Sequence, residues 1–99
     1  MKLVVVSAAL AELRDATAYY TTQANKKLGL AFVAEFDRVI DRIIGNPEIG
    51  QAFRGDIRRF VMRRFPYNVY YHTVSGELHV LAIAHQSRRP GYWSARKWP

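Results

Sequence analysis

The chain has no cysteine among its 99 residues, which excludes disulfide scaffolds, CxxC redox centres, thiolate zinc sites and cysteine nucleophiles together. It also lacks a long apolar run. Its longest, residues 3–6 and 78–84, the second broken by His79, fall far short of the ~20 residues that span a bilayer, so no membrane partner is expected. Residues 1–6 hold one basic residue and too short an apolar stretch for a signal peptide, which predicts a cytoplasmic protein. Internal repeats, low-complexity tracts and linker-like stretches are missing as well, and 99 residues make less than one domain of ~150, so a single domain over residues 1–99 is predicted.

Acidic residues are scarce in one half only. Residues 1–50 carry six basic and six acidic side chains, whereas residues 51–99 carry nine basic, eight of them arginine, against Asp56 and Glu77 alone. The whole net charge of +7 therefore comes from the second half. Arginine presents a planar fork that grips phosphate or carboxylate through two hydrogen bonds and stacks on rings, so an anionic partner is expected there.

With 49% hydrophobic residues the chain should fold. Residues 2–6 read as a buried β-branched strand, with Ser7 positioned to cap a following helix. Leu10, Leu13, Thr17, Tyr20 and Ala24 recur near the helical period, and Asn25-Lys26-Lys27 with Gly29 reads as that helix's cationic end and a reversal. A second helix follows from Phe32, Val33, Phe36, Val39, Ile40, Ile43 and Ile44, with Glu35, Arg38, Asp41 and Arg42 on its opposite face and a left-handed glycine cap at Gly45-Asn46-Pro47. Residues 49–55 read as a loop. Strands are predicted over 57–64, 67–73 and 77–84, the last two joined by a Val74-Ser75-Gly76 hairpin. The expected fold is α+β in the order β-α-α-β-β-β: an N-terminal strand and a helical hairpin (about 8–45) on an antiparallel sheet (basic part about 57–84). A basic, aromatic extension (86–99) trails it.

Within the basic half, Arg58, Arg59, Arg63 and Arg64 flank an apolar strand centre, either facing an anion or keeping an edge strand from pairing. His85, Arg88, Arg89, Tyr92, Trp93 and Arg96, followed by Lys97 and Trp98, interleave cations with rings. That suits base stacking, a protein interface, or a tail whose Trp93 packs back on the sheet. His79 and His85 are at least ~18 Å apart on a regular strand, so no shared metal ion is predicted, and no phosphate-binding glycine loop suggests a cofactor. If the chain cuts a phosphodiester, arginines would hold the phosphate while His85 or Tyr92 moves protons.

Three segments, Gly55-Asp56-Ile57-Arg58-Arg59, Phe65-Pro66-Tyr67-Asn68-Val69-Tyr70-Tyr71 and Ala84-His85-Gln86-Ser87-Arg88-Arg89-Pro90-Gly91-Tyr92-Trp93, together resemble the RelE/ParE superfamily of type II toxins. The resemblance implies a growth-inhibiting toxin neutralised by a cognate antitoxin; given the basic half, an acidic segment of that antitoxin is expected to lay a helix or strand against the hairpin and sheet, its carboxylates meeting arginines such as Arg58 and Arg59. The RelE branch, ribosome-dependent messenger-RNA endonucleases, shows an arginine where this chain has Asn68, a basic residue where it has Gln86, and a tyrosine matching Tyr92. Two of these three positions have lost their charge, so the chain resembles more closely the ParE branch, which poisons DNA gyrase by binding. A ribosome-dependent nuclease using His85, Arg88, Arg89 and Tyr92 is the alternative, and a small nucleic-acid-binding domain the second.

Overall fold

The computed structural model describes residues 1–96. In chain order it contains β1 (Lys2–Val5), α1 (Ser7–Gln23), α2 (Lys26–Gly45), β2 (Gln51–Arg54), β3 (Ile57–Val61), β4 (Tyr67–Val74), β5 (Glu77–His85) and a 3-10 turn (Tyr92–Ala95). Two helices lie on a five-stranded sheet of order β1-β5-β4-β3-β2. The α+β architecture is the expected one, with two changes to the sheet. It is mixed, because β1 runs parallel to β5 while the other neighbours are antiparallel. Residues 51–54 are a strand where a loop was expected: Gln51 and Ala52 pair with Arg59 and Arg58. That segment has only four residues and no clear alternation, so its pairing comes from its neighbour and not from its own pattern.

Strand β3 stops at Val61, short of the predicted Arg64. Met62 N–H instead donates to the Tyr67 carbonyl at 3.0 Å, and Met62 and Phe65 are buried, so a turn folds their side chains under the sheet. The paired arginines at 63 and 64 thus sit on a turn and not on a strand. The Val74-Ser75-Gly76 hairpin forms as expected, with φ +50° at Ser75 and +75° at Gly76, the left-handed pair that a tight hairpin needs.

The helix boundaries are corrected by their caps. Ser7 makes no side-chain cap; it is the first residue of α1. Asn25 belongs to α2, where its side chain accepts from Leu28 N–H at 2.8 Å, so Lys26 and Lys27 open that helix instead of closing α1. Gly29 lies inside α2, packed so tightly on α1 that an added Cβ would sit 2.0 Å from Thr21 Oγ1. Gly45 takes no left-handed conformation, and Asn46 ends the helix through its N–H to the Arg42 and Ile43 carbonyls. Glu35, expected outside, is buried and paired with Arg38.

The inner face of the sheet meets the hairpin through rings: Tyr67 contacts Tyr20 of α1 and Phe32 of α2, and Phe65 touches both. Side-chain alternation sends Tyr70 of β4 to the outer face. There Tyr70 and Phe53 of β2 pack against Trp93, which is 1% exposed. Trp93 of the C-terminal segment is therefore part of the core and covers the outer face. Both faces of β4 and β5 are covered, which is why residues 78–84 are buried throughout and read as a continuous apolar strand.

Candidate functional site

Strand β1 is short, and its pairing with β5 ends at Val80, where Val6 N–H donates to the Val80 carbonyl at 3.1 Å. Beyond that point β5 slips by one residue against β4, Tyr70 facing Ala82 and Tyr71 facing Val80, and presents backbone groups to an edge with no strand beside it. Two side chains fill the gap. Glu12 of α1 accepts from Ile83 N–H at 3.0 Å, and Arg96 donates to the Leu81 carbonyl at 3.4 Å. The two are joined by a double hydrogen bond of 2.9 and 2.8 Å, and the Tyr92 hydroxyl also donates to Glu12. One carboxylate thus ties α1, β5 and the C-terminal segment together.

The electrostatics of this clasp follow from its donors. Burial pushes the Glu12 carboxyl up, but the hydrogen bonds from Arg96, Tyr92 and Ile83 N–H, with the Arg96 charge, outweigh it and leave the group below the ordinary carboxylate value. Burial first, and then the bond to Glu12, push the Tyr92 phenol up to about 12. A phenol so held keeps its proton and is a poor general base at neutral pH.

The structure divides the predicted site residues into three sets. Arg58 and Arg59 are engaged locally: Arg58 donates to the Gly50 carbonyl at 2.8 Å and pairs with Glu48 at 3.6 Å, while Arg59 donates to Gln51 at 2.9 Å. Tyr92, Trp93 and Arg96 face inward. Of the two readings of Trp93, a binding-surface residue or a ring packed back on the sheet, its burial fits the second, because Phe53 and Tyr70 enclose its ring. The third set faces outward. Gln86 N–H donates to the Pro66 carbonyl at 2.8 Å, joining the β3–β4 turn to the segment after β5. Arg63 and Arg64 on one side of that joint, and Arg88 and Arg89 on the other, are exposed; Arg63 lines a groove with Arg42, Gln51 and Arg59, and Arg88 a separate one beside α1, so the four form a spread-out rim and not one patch. Among the described residues none of these four forms an ion pair. Lys97 and Trp98 lie outside the described residues.

His85 borders this rim. Its Nδ1 accepts from Ser87 N–H at 3.0 Å, which requires that nitrogen to be unprotonated, and lies 2.8 Å from Ser87 Oγ. Asn68 and Gln86, the two neutral positions, approach each other across the outer face at 3.4 Å. Among the described residues no three His, Asp or Glu side chains converge as a metal site would require. No helix there is long and apolar enough to cross a membrane.

Glu12 is the site residue that sequence reasoning missed. A signal is present: Ala9 and Ala16 are the buried positions of α1, and Glu12 lies three residues after one and four before the other, on the same stripe. A stripe drawn through Leu10 and Thr17 runs one position away and turns Glu12 outward.

Comparison with known proteins agrees with this architecture. A solved structure titled "Chromosomal ParDE TA system from P. aeruginosa" superposes with a TM-score of 0.75 over 86% of this chain and 95% of that one, at 18% identity, a likeness of fold. No curated protein matches in sequence. The family model for the ParE toxin of the type II toxin-antitoxin system parDE matches residues 3–90, nearly the whole chain, and with it the chain belongs to the ParE toxin family.

Proposed function

We propose that this toxin arrests growth by binding DNA gyrase, without covalent chemistry of its own, and that a cognate antitoxin relieves the arrest. The observation that carries the reading is the state of the would-be catalytic positions. Asn68 and Gln86 bring no positive charge to stabilise a developing phosphorane, and Tyr92 holds its proton against Glu12. What remains outward is a set of exposed arginines, Arg63, Arg64, Arg88 and Arg89, that form no ion pair among the described residues, which suits attachment to a large anionic assembly in the cytoplasm.

For the antitoxin, a shallow groove of about 430 Å³ on the hairpin, lined by Leu13, Thr17, Ala18, Thr21 and Val33, suits the apolar face of an amphipathic helix. Arg58 and Arg59 already serve their own neighbours and are weaker candidates for that contact than the sequence suggested. Ala18→Glu should weaken the antitoxin complex in a titration while leaving toxicity intact, and unchanged affinity would move the antitoxin elsewhere.

The test of function is a supercoiling assay with purified gyrase and toxin, run beside a translating ribosome extract. Inhibition of supercoiling with intact message is expected. Codon-phased cuts in the message with gyrase untouched would replace this reading with the nuclease.

A further inference from the structure

Beside the arginine rim lies a groove of about 240 Å³ lined by Asp15, Tyr19, Tyr67, His85, Arg88 and Tyr92, with Glu12 at its base. Its walls are flat. The Arg88 guanidinium carbon sits 3.9 Å above the Tyr92 ring centroid, a stacking distance, Arg88 is itself exposed, and Tyr19 is 58% exposed. Its electrostatics are split. Arg88 brings a positive charge to one wall, whereas Asp15, exposed on the α1 wall, forms no ion pair among the described residues and brings a negative one. Glu12 is already neutralised by Arg96.

From this geometry we infer that the groove takes one unpaired base of a single-stranded DNA end, with the adjoining phosphates on Arg88 and its neighbour Arg89. The inference deepens the gyrase reading and rests on it for its biological setting, since gyrase opens DNA strands. Three features select this ligand over an acidic peptide. A carboxylate entering the groove would meet Asp15 at close range, whereas a base is neutral. Guanidinium and phenol planes bind bases by stacking and tolerate every base. Asp15, an acceptor only, pairs with exocyclic amino groups, as carboxylates do with cytosine N4. Cytosine, adenine and guanine, each with an exocyclic amino group, are therefore favoured over thymine, whose one N–H donor is the ring imino group.

The experiment uses the whole toxin, without gyrase, and fluorescein-labelled DNA hairpins that are either blunt or end in a short single-stranded overhang. Fluorescence anisotropy at physiological salt should show the overhang binding about tenfold tighter than the blunt end, the gain expected of one stacked base. A cytosine overhang should bind better than a thymine one. Tyr19→Ala should abolish the overhang advantage, and Asp15→Ala the cytosine preference. Both side chains are exposed, and circular dichroism checks that the variants fold. Replacing Arg88 and Arg89 with alanine should lower the slope of log K against log salt by about 0.7 for each phosphate that is no longer neutralised. Equal affinity for blunt and overhanging DNA overturns the inference, as does competition by poly-glutamate as strong as that of the overhang. The assay contains no gyrase, so its failure leaves gyrase inhibition standing. Conversely, a toxin that prefers overhangs and spares gyrase refutes only the gyrase reading.

Discussion

Two sets of residues in the basic half, each containing arginine, behave in opposite ways. Tyr92, Trp93 and Arg96 turn inward and close the fold, whereas Arg63, Arg64, Arg88 and Arg89 stay outside without an ionic partner among the described residues. The difference is one carboxylate. Glu12 offers Arg96 a bidentate partner that also satisfies the open edge of β5, and among the described residues no such group meets the other four arginines. An arginine's role in this chain is thus set by where the acids of the neutral half fall and not by its place in the basic run.

The largest expected effect tests the inward cluster. Trp93→Ala removes a ring enclosed by Phe53 and Tyr70 and should destabilise the domain by about 3–5 kcal/mol in urea unfolding, with toxicity lost through unfolding. A variant that stays fully stable yet loses toxicity would make Trp93 a contact residue and erase the distinction between the clusters.

Glu12→Gln should cost about 2 kcal/mol, since it leaves Arg96 partly buried without its countercharge. It should also change the acid limb. Because the folded state holds the Glu12 carboxyl below its ordinary value of 4.5, the unfolded chain binds more protons between the two values. The stabilisation is therefore complete above about 4.5 and disappears as pH falls through the lower, folded value. Urea midpoints measured across that window should fall more steeply for the wild type than for Glu12→Gln. Parallel curves would mean that the clasp contributes little.

The smallest effect on stability, and the sharpest contrast, belongs to the rim. Charge reversal of Arg88 and Arg89 should change stability by no more than about 0.5 kcal/mol, as exposed substitutions do, while growth arrest on induced expression weakens strongly.

The same contrast separates what is legible in the sequence from what is not. Helix α2 is plain because Phe32, Phe36, Val39, Ile40 and Ile43 repeat at one period and are all buried. The buried run 78–84 and the Ser75-Gly76 turn are plain for similar local reasons. Strand β2 is not, since four residues paired to β3 carry no periodic signal of their own. The roles of Trp93 and Arg96 are hidden because they depend on Phe53 and Glu12, about 40 and 84 residues away in sequence. Composition marks the half of the chain that holds the exposed cations, yet it cannot say which arginines already have partners within the fold.

The most direct test is a gyrase supercoiling assay with a variant in which Arg63, Arg64, Arg88 and Arg89 are all replaced by glutamate, its Tm measured alongside. The wild-type toxin is expected to inhibit supercoiling, and the variant, with its Tm nearly unchanged, to leave it running. Undiminished inhibition by a folded variant would contradict the role given to the arginine rim.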